Sequence, residues 1–333
     1  MRVAVDAFGG DNAPLEILKG AALAEKEYGV HIVLCGDEEI IRKCIADNEI
    51  TFNELDIVHA SDVITMEDEP TTLLKKHKDS SMAVAFRQVA EGNADVFVSA
   101  GSTGAVVVGG TFIIKRIKGI KRPVLASMIP SPDKSYMLLD VGANADCRPE
   151  MLAQFGLMAS RYLENVEGIK NPTVGLLNIG TEDTKGGELQ KAAFELLKGE
   201  DINFIGNVEA RDMPMGVCDI VVTDGFTGNV SLKLLEGTIS ALFTMLRPVF
   251  SKNIFTKLCY LVLKPGLRGI KRKMNASEVG GAPLLGTKKP VFKAHGNSDA
   301  YSFKNAIYKA TLFAQNDVVA AIENSFSNEV SES

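Results

Sequence analysis

No stretch of the 333 residues approaches the ~20 consecutive apolar positions of a membrane-crossing helix. The opening MRVAVDAFGG alternates like a strand and lacks the apolar core of a secretion signal, so a cytoplasmic location is expected. Five cysteines (Cys35, Cys44, Cys147, Cys218, Cys259) show no C-x-x-C spacing, and four histidines (His31, His59, His77, His295) stand far apart. That scatter points away from both a disulfide framework and a metal centre. Low-complexity segments, Pro- or Ser-rich linkers and exact repeats are all missing. One interwoven body over 1–315 is therefore expected rather than two sequential domains, with 316–333 fading through a helix end into a polar tail. Acidic residues are missing between Gly237 and Ser277, where eight basic ones occur: Arg247, Lys252, Lys257, Lys264, Arg268, Lys271, Arg272 and Lys273. Since the net charge is −6, the rest of the chain carries −14, and this one surface is electrically set apart.

What is present is the material of a large core, with 46% hydrophobic and 23% charged residues. Short runs rich in Val, Ile and Leu alternate with amphipathic segments: RVAVDA then 14–28, HIVLCG then 37–47, ADVFVSA then 102–117, YMLLDVG then 149–164, TVGLLNIG then 186–198, and CDIVVTDG then 228–247. This alternation predicts an α/β fold with a mostly parallel sheet sandwiched by helices.

Four of the junctions share a design. VSAGSTGAVVVGG, LLDVGANADCRPEML, LLNIGTEDTKGGELQ and VVTDGFTGNVSLK each run from a strand through Gly and small polar residues into a helix start. In a parallel sheet such turns lie on one edge, and helix starts offer free N–H groups and the positive end of a dipole. A shared anion pocket on that edge is the expectation. None of the four fits the G-x-G-x-x-G dinucleotide motif or the G-x-x-x-x-G-K-[ST] phosphate loop.

The segments DAFGGDNAP, VSAGSTGA, DVGANADCRPEMLAQFG, GLLNIGTEDTKG, GNVEARD, DGFTGNVSLK, GGAPLLG and HGNSDA together resemble the bacterial phosphate acyltransferases of phospholipid synthesis, the PlsX family, from residue 1 to about 315. Two positions depart from that pattern, Phe8 where Met is usual and Ser102 where Asn is usual. The resemblance implies two intertwined lobes similar to phosphotransacetylase and to isocitrate and isopropylmalate dehydrogenases, and a homodimer. It also implies transfer of a long fatty acyl chain from the thioester of acyl carrier protein to inorganic phosphate. The acyl-phosphate product would feed an acyl-phosphate:glycerol-3-phosphate acyltransferase in the membrane. No cofactor and no nucleic-acid partner are implied.

Such chemistry asks little of the protein beyond holding an anion and stabilising a developing oxyanion. Lys185 after GTEDT and Asn229 after DGFTG supply a charge and an amide donor, and the resemblance places both at the reaction centre. Asn229 is also readable as a helix cap. Further substrate-binding candidates are Asp6, Gly9, Gly10 and Asp11 after the first strand; Ser99, Gly101, Ser102, Thr103 and Gly104; Asn144; Phe226, Thr227 and Gly228; and His295. Cys147 has no Lys or His neighbour in sequence to lower its pKa, which argues against an acyl-enzyme.

In the basic segment, Ile254, Phe255, Leu258, Leu261 and Val262 fall at helical spacing, Pro265-Gly266 interrupts, and Leu267, Ile270 and Met274 resume. Two short amphipathic helices over about 250–275 are predicted, bent at Pro265. Leu258, Leu261, Val262, Lys264, Leu267, Arg268, Lys271 and Arg272 would then contact an anionic membrane surface or the carrier protein. A short-chain enzyme using acetyl-coenzyme A, resembling phosphotransacetylase, would have no use for this hairpin. A non-catalytic acyl- or membrane-binding regulator would have no use for the anion-holding turns.

Overall fold

The computed structural model describes residues 1–273 and 280–330, the side chains of 271–273 and 327–330 excepted. Its first half runs β1 (Arg2–Asp6), α1 (Leu15–Tyr28), β2 (His31–Gly36), α2 (Glu38–Asp47), β3 (Leu55–His59), α3 (Ser81–Ala90), β4 (Val96–Ser99) and α4 (Thr103–Gly109). Then come β5 (Val124–Pro130), β6 (Ser135–Leu139), α5 (Pro149–Tyr162), β7 (Thr173–Asn178), α6 (Glu188–Gly199), β8 (Asn203–Glu209) and β9 (Ile220–Val222). The chain closes with α7 (Gly225–Ser251), α8 (Ile254–Lys273), β10 (Ala282–Leu285), β11 (Val291–Lys293), α9 (Ala300–Gln315) and α10 (Val318–Val330).

The described strands form one sheet in the order β3-β2-β1-β4-β11-β10-β5-β6-β9-β7-β8. Alternate residues of a strand feed opposite layers. Val3 and Val5 join Ile17, Leu18, Phe303 and Ile307 of α1 and α9, whereas Ala4 joins Met82, Phe86 and Val89 of α3. Both faces are thus covered, which is why the strands read as continuous apolar runs.

Pairing is parallel from β3 to β11 and again from β6 to β8. Between those blocks lie three antiparallel joins, β11–β10, β10–β5 and β5–β6. An odd number of antiparallel joins reverses direction, so the second block runs opposite to the first. The expected single edge is therefore corrected. The turns after β1, β4 and β11 leave one rim of the sheet, and those after β6, β7 and β9 leave the other.

Two further expectations change. Residues 318–330 form α10 rather than a fading tail, with Val318, Ile322 and Phe326 fully buried; Ser331–Ser333 lie outside the described residues. The basic segment is one helix through Pro265, not two short ones. The reversal comes earlier, at 252–253, where Asn253 and Thr256 cap each other reciprocally at 3.0 Å (Thr256 N–H to Asn253 Oδ1, Asn253 N–H to Thr256 Oγ1). The resulting α7–α8 pair leaves Phe255, Leu258, Leu261 and Val262 exposed, and a hollow of about 560 Å³ lies between the helices, lined by Lys264, Leu267 and Arg268 among others. Met274 and the side chains of Lys271 and Arg272 lie outside the described residues.

Candidate active site

On the first rim, the carboxylate of Asp6 is buried and accepts hydrogen bonds from Ser81 Oγ (2.6 Å) and Ser99 Oγ (2.7 Å). Burial pushes its pKa up from the ordinary carboxylate value. Asp6 therefore anchors the turn from beneath and does not line the cleft. Gly9 is required by close approach: a Cβ there would stand 2.5 Å from Asp6 Oδ2 and 2.7 Å from Gly101 N. Gly10 adopts φ +99°, and the exposed Asp11 ties its N–H to Gly296 O at 2.8 Å. The β1 turn, the β4 turn and the segment after β11 are thus knit together. Ser102 is the N-cap of α4, its hydroxyl accepting from Ala105 N at 3.5 Å, and Gly104 packs against Pro70.

On the second rim, the buried carboxylate of Asp140 accepts from the amides of Gly142 (3.0 Å), Ala143 (2.8 Å) and Asn144 (2.8 Å), and from Asn144 Nδ2 (2.8 Å). Burial outweighs these donors and raises its pKa to about 6. Asn144 also donates to Pro123 O at 2.8 Å, so its amide group is spent on holding the loop. α7 is capped by Asp224, which accepts from Thr227 N and Thr227 Oγ1, both at 2.8 Å. Gly228 lets α7 lie directly on the end of β6, since a Cβ would come within 1.9 Å of Asp140 O. Gly228→Ala is expected to lower stability by about 1–3 kcal/mol, read as a fall in Tm, because the obstacle is backbone and cannot turn away.

These caps take up part of the helix-start N–H groups expected to hold the anion. At α7 the Gly225 N–H goes to Asn144 O (2.8 Å), Thr227 N–H goes to Asp224, and the Asp224 carboxylate already opposes the dipole. Asn229 is not the cap. It lies one turn in, beside Gly142, where a Cβ would be 3.4 Å from Asn229 Nδ2. Its amide has no hydrogen-bond partner among the described residues and opens on a cavity.

That cavity, about 320 Å³, lies between the two blocks of the sheet, so the turns on opposite rims meet a common space after all. Thr103 enters from the first rim and Gly142 and Asn229 from the second; Ser127, Lys233, Glu236, Lys293 and His295 complete its polar lining. Lys293, at the end of β11, is buried and donates from Nζ to Ala100 O (3.2 Å) and to Ala294 O. Burial lowers its pKa to about 8, against the attraction of Asp6 and Asp11. His295 Nε2 stands 3.7 Å from Glu236 Oε1 with its ring half exposed. Reasoning from sequence missed Lys293; the available signal was one cation in the otherwise apolar run PVFKA.

Other candidates fall outside the lining. Lys185 sits on the same rim as Asn229, in the turn after β7, with Nζ 3.7 Å from Glu182 Oε1 and nearly half exposed. Phe226 points to solvent. Cys147 donates to Asn144 O at 3.6 Å, and burial drives its thiol to about 12, far from a reactive thiolate. Among the described residues, no group of three or more His, Cys, Asp or Glu could hold a metal ion.

Comparison with known proteins agrees with this architecture. The fold is that of the phosphotransacetylases: the enzyme from Streptococcus pyogenes superposes with a TM-score of 0.65 at 18% identity, covering 95% of this chain and 94% of that one. EutD phosphotransacetylase from Staphylococcus aureus gives 0.62 at 14% identity, covering 94% of each. Within that fold the sequence is far more specific. The family model "Fatty acid synthesis protein" matches residues 1–321, and the phosphate acyltransferase of Anoxybacillus flavithermus is 47% identical over 327 residues, 98% of either chain. The chain belongs to this family, and it is an acyltransferase.

Proposed function

We propose that the cleft holds orthophosphate as the attacking reagent against a long-chain acyl thioester borne by acyl carrier protein, giving acyl-phosphate for phospholipid synthesis. The relatives' name, phosphate acyltransferase, supports phosphate as acceptor. The observation that carries the reading is the convergence of Asn229, whose amide has no partner among the described residues, and a buried ammonium, Lys293, with Thr103 and His295 on one cavity. A phosphate oxygen forms the C–O bond to the carbonyl carbon, the C–S bond breaks, and the thiolate leaves to be protonated. Lys293 and Thr103 hold the anion, and Asn229 donates to the carbonyl oxygen as it gains charge. Lys185, in a turn on the same rim as Asn229, serves as a second cation for the incoming anion. The carrier and chain length are tested by offering palmitoyl-carrier protein and acetyl-coenzyme A together in phosphate buffer. Palmitoyl-phosphate is expected to dominate, whereas acetyl-phosphate as the main product would select the short-chain reading that the fold neighbours share.

The exposed apolar crest of α8, flanked by Lys257, Lys264 and Arg268, supports peripheral attachment to the inner face of the cell membrane. Each cation near an anionic leaflet adds about 1 kcal/mol. Among the described residues no helix is long and apolar enough to cross a membrane. Leu258→Glu is expected to cut co-sedimentation with anionic vesicles about tenfold, since it drives a charge into the apolar contact. Equal binding by both proteins removes the attachment.

A further inference from the structure

A second hollow, of about 660 Å³, opens beside the cleft and is lined by Arg116, Lys121, Arg122 and Arg148, with Asp146, Glu150 and the exposed Phe112. Among the described residues none of the four cations forms an ion pair; Arg116 Nη1 donates to the carbonyls of Ile120 (3.4 Å) and Lys121, and the other three charges have only the two nearby acids to offset them. Their origin is local. Residues 96–132 contain no acidic side chain and five basic ones, and Lys288 is held against this segment by its N–H to Lys115 O at 2.9 Å. In a chain of net charge −6 this is a concentrated patch, separate from the one on α8.

The hollow is coupled to the cleft by two elements. The loop 140–148 lines the cleft with Val141 and Gly142 and the hollow with Asp146, Cys147 and Arg148. Thr103 opens α4 in the cleft, and Thr111 and Phe112, just past its end, line the hollow, roughly 12 Å further along at helical rise.

We infer that this hollow docks the acidic face of the protein that delivers the acyl thioester, placing the thioester within reach of the cleft. The inference rests on the proposal that the donor is a carrier protein. A hollow lined by four cations and one exposed aromatic ring suits an acidic helix with an apolar contact. A lipid surface instead favours a projecting apolar crest, which α8 already offers.

The test is the triple variant Lys121→Glu/Arg122→Glu/Arg148→Glu, assayed with octanoyl-carrier protein and with the small thioester octanoyl-N-acetylcysteamine. Docking predicts a KM for the carrier substrate raised on the order of tenfold or more, kcat retained, and the small thioester used as before. Added salt should raise the carrier KM of the unmodified protein and leave that of the variant flat. An unchanged carrier KM overturns the inference, as does an equal loss with both substrates. Loss of anionic-vesicle binding with the carrier KM intact would assign the hollow to lipid and overturn it too. If the unmodified protein turns over neither thioester, the transfer reading falls and docking falls with it; if it uses both, docking is judged on the variant alone.

Discussion

Asn229→Ala is expected to lower kcat by about 10²–10³-fold with little change in either KM, the loss that follows removal of one oxyanion donor. Among the described residues the amide has no hydrogen-bond partner; it lies beside Gly142 and one turn inside a capped helix, so its position is set by backbone and not by its own hydrogen bonds. Removing it leaves α7 intact, because Asp224 carries the cap. A fall in kcat with unchanged Tm separates transition-state stabilisation from structure. A rise in phosphate KM with kcat preserved would instead make Asn229 a ground-state ligand.

Lys293→Met is expected to raise the KM for phosphate by about 10–100-fold, the range spanned by losing a charge-assisted hydrogen bond of roughly 1.5–3 kcal/mol. The pH dependence has a defined sign. Burial holds Lys293 near 8, so the empty enzyme carries the charge below that pH and loses it above. Phosphate binding should therefore weaken as pH rises through about 8, and this component should vanish in the variant. Ionisation of phosphate itself is common to both proteins and cancels in their ratio. Stability moves differently: the folded value lies below the unfolded one, so the cost of burying the ammonium is full below about 8 and fades as pH rises toward the ordinary lysine range. Methionine removes that cost, so the variant should not be crippled in folding. A ratio flat across pH 7–9 would take Lys293 out of phosphate binding.

Much of this was legible in the chain because the strand runs are long and each is followed by a helical period. The α/β class and the elements 14–28, 37–47 and 149–164 came directly from that pattern. The direction of the second block was not legible. It depends on β5, β10 and β11, of which β10 and β11 are only four and three residues long and carry no period of their own. Asn229 was reached through the family resemblance, since its place after a Gly-rich turn reads equally well as a helix cap; Lys293 was not, because its distant partner Ala100 is a backbone carbonyl brought near only by the β4–β11 pairing. Pro265 misled as a breaker: the helix start lay at Asn253, whose reciprocal cap with Thr256 needs no glycine or proline.

The most direct measurement is thiol release in a single turnover of palmitoyl-carrier protein with excess enzyme, with and without phosphate labelled in its oxygens. Direct attack by phosphate predicts no thiol burst in its absence, and one equivalent of thiol matched by one of acyl-phosphate bearing the label in its presence. A stoichiometric burst of thiol without phosphate would mean the acyl group is first taken by the protein, and would contradict the cleft as a site where the anion itself attacks.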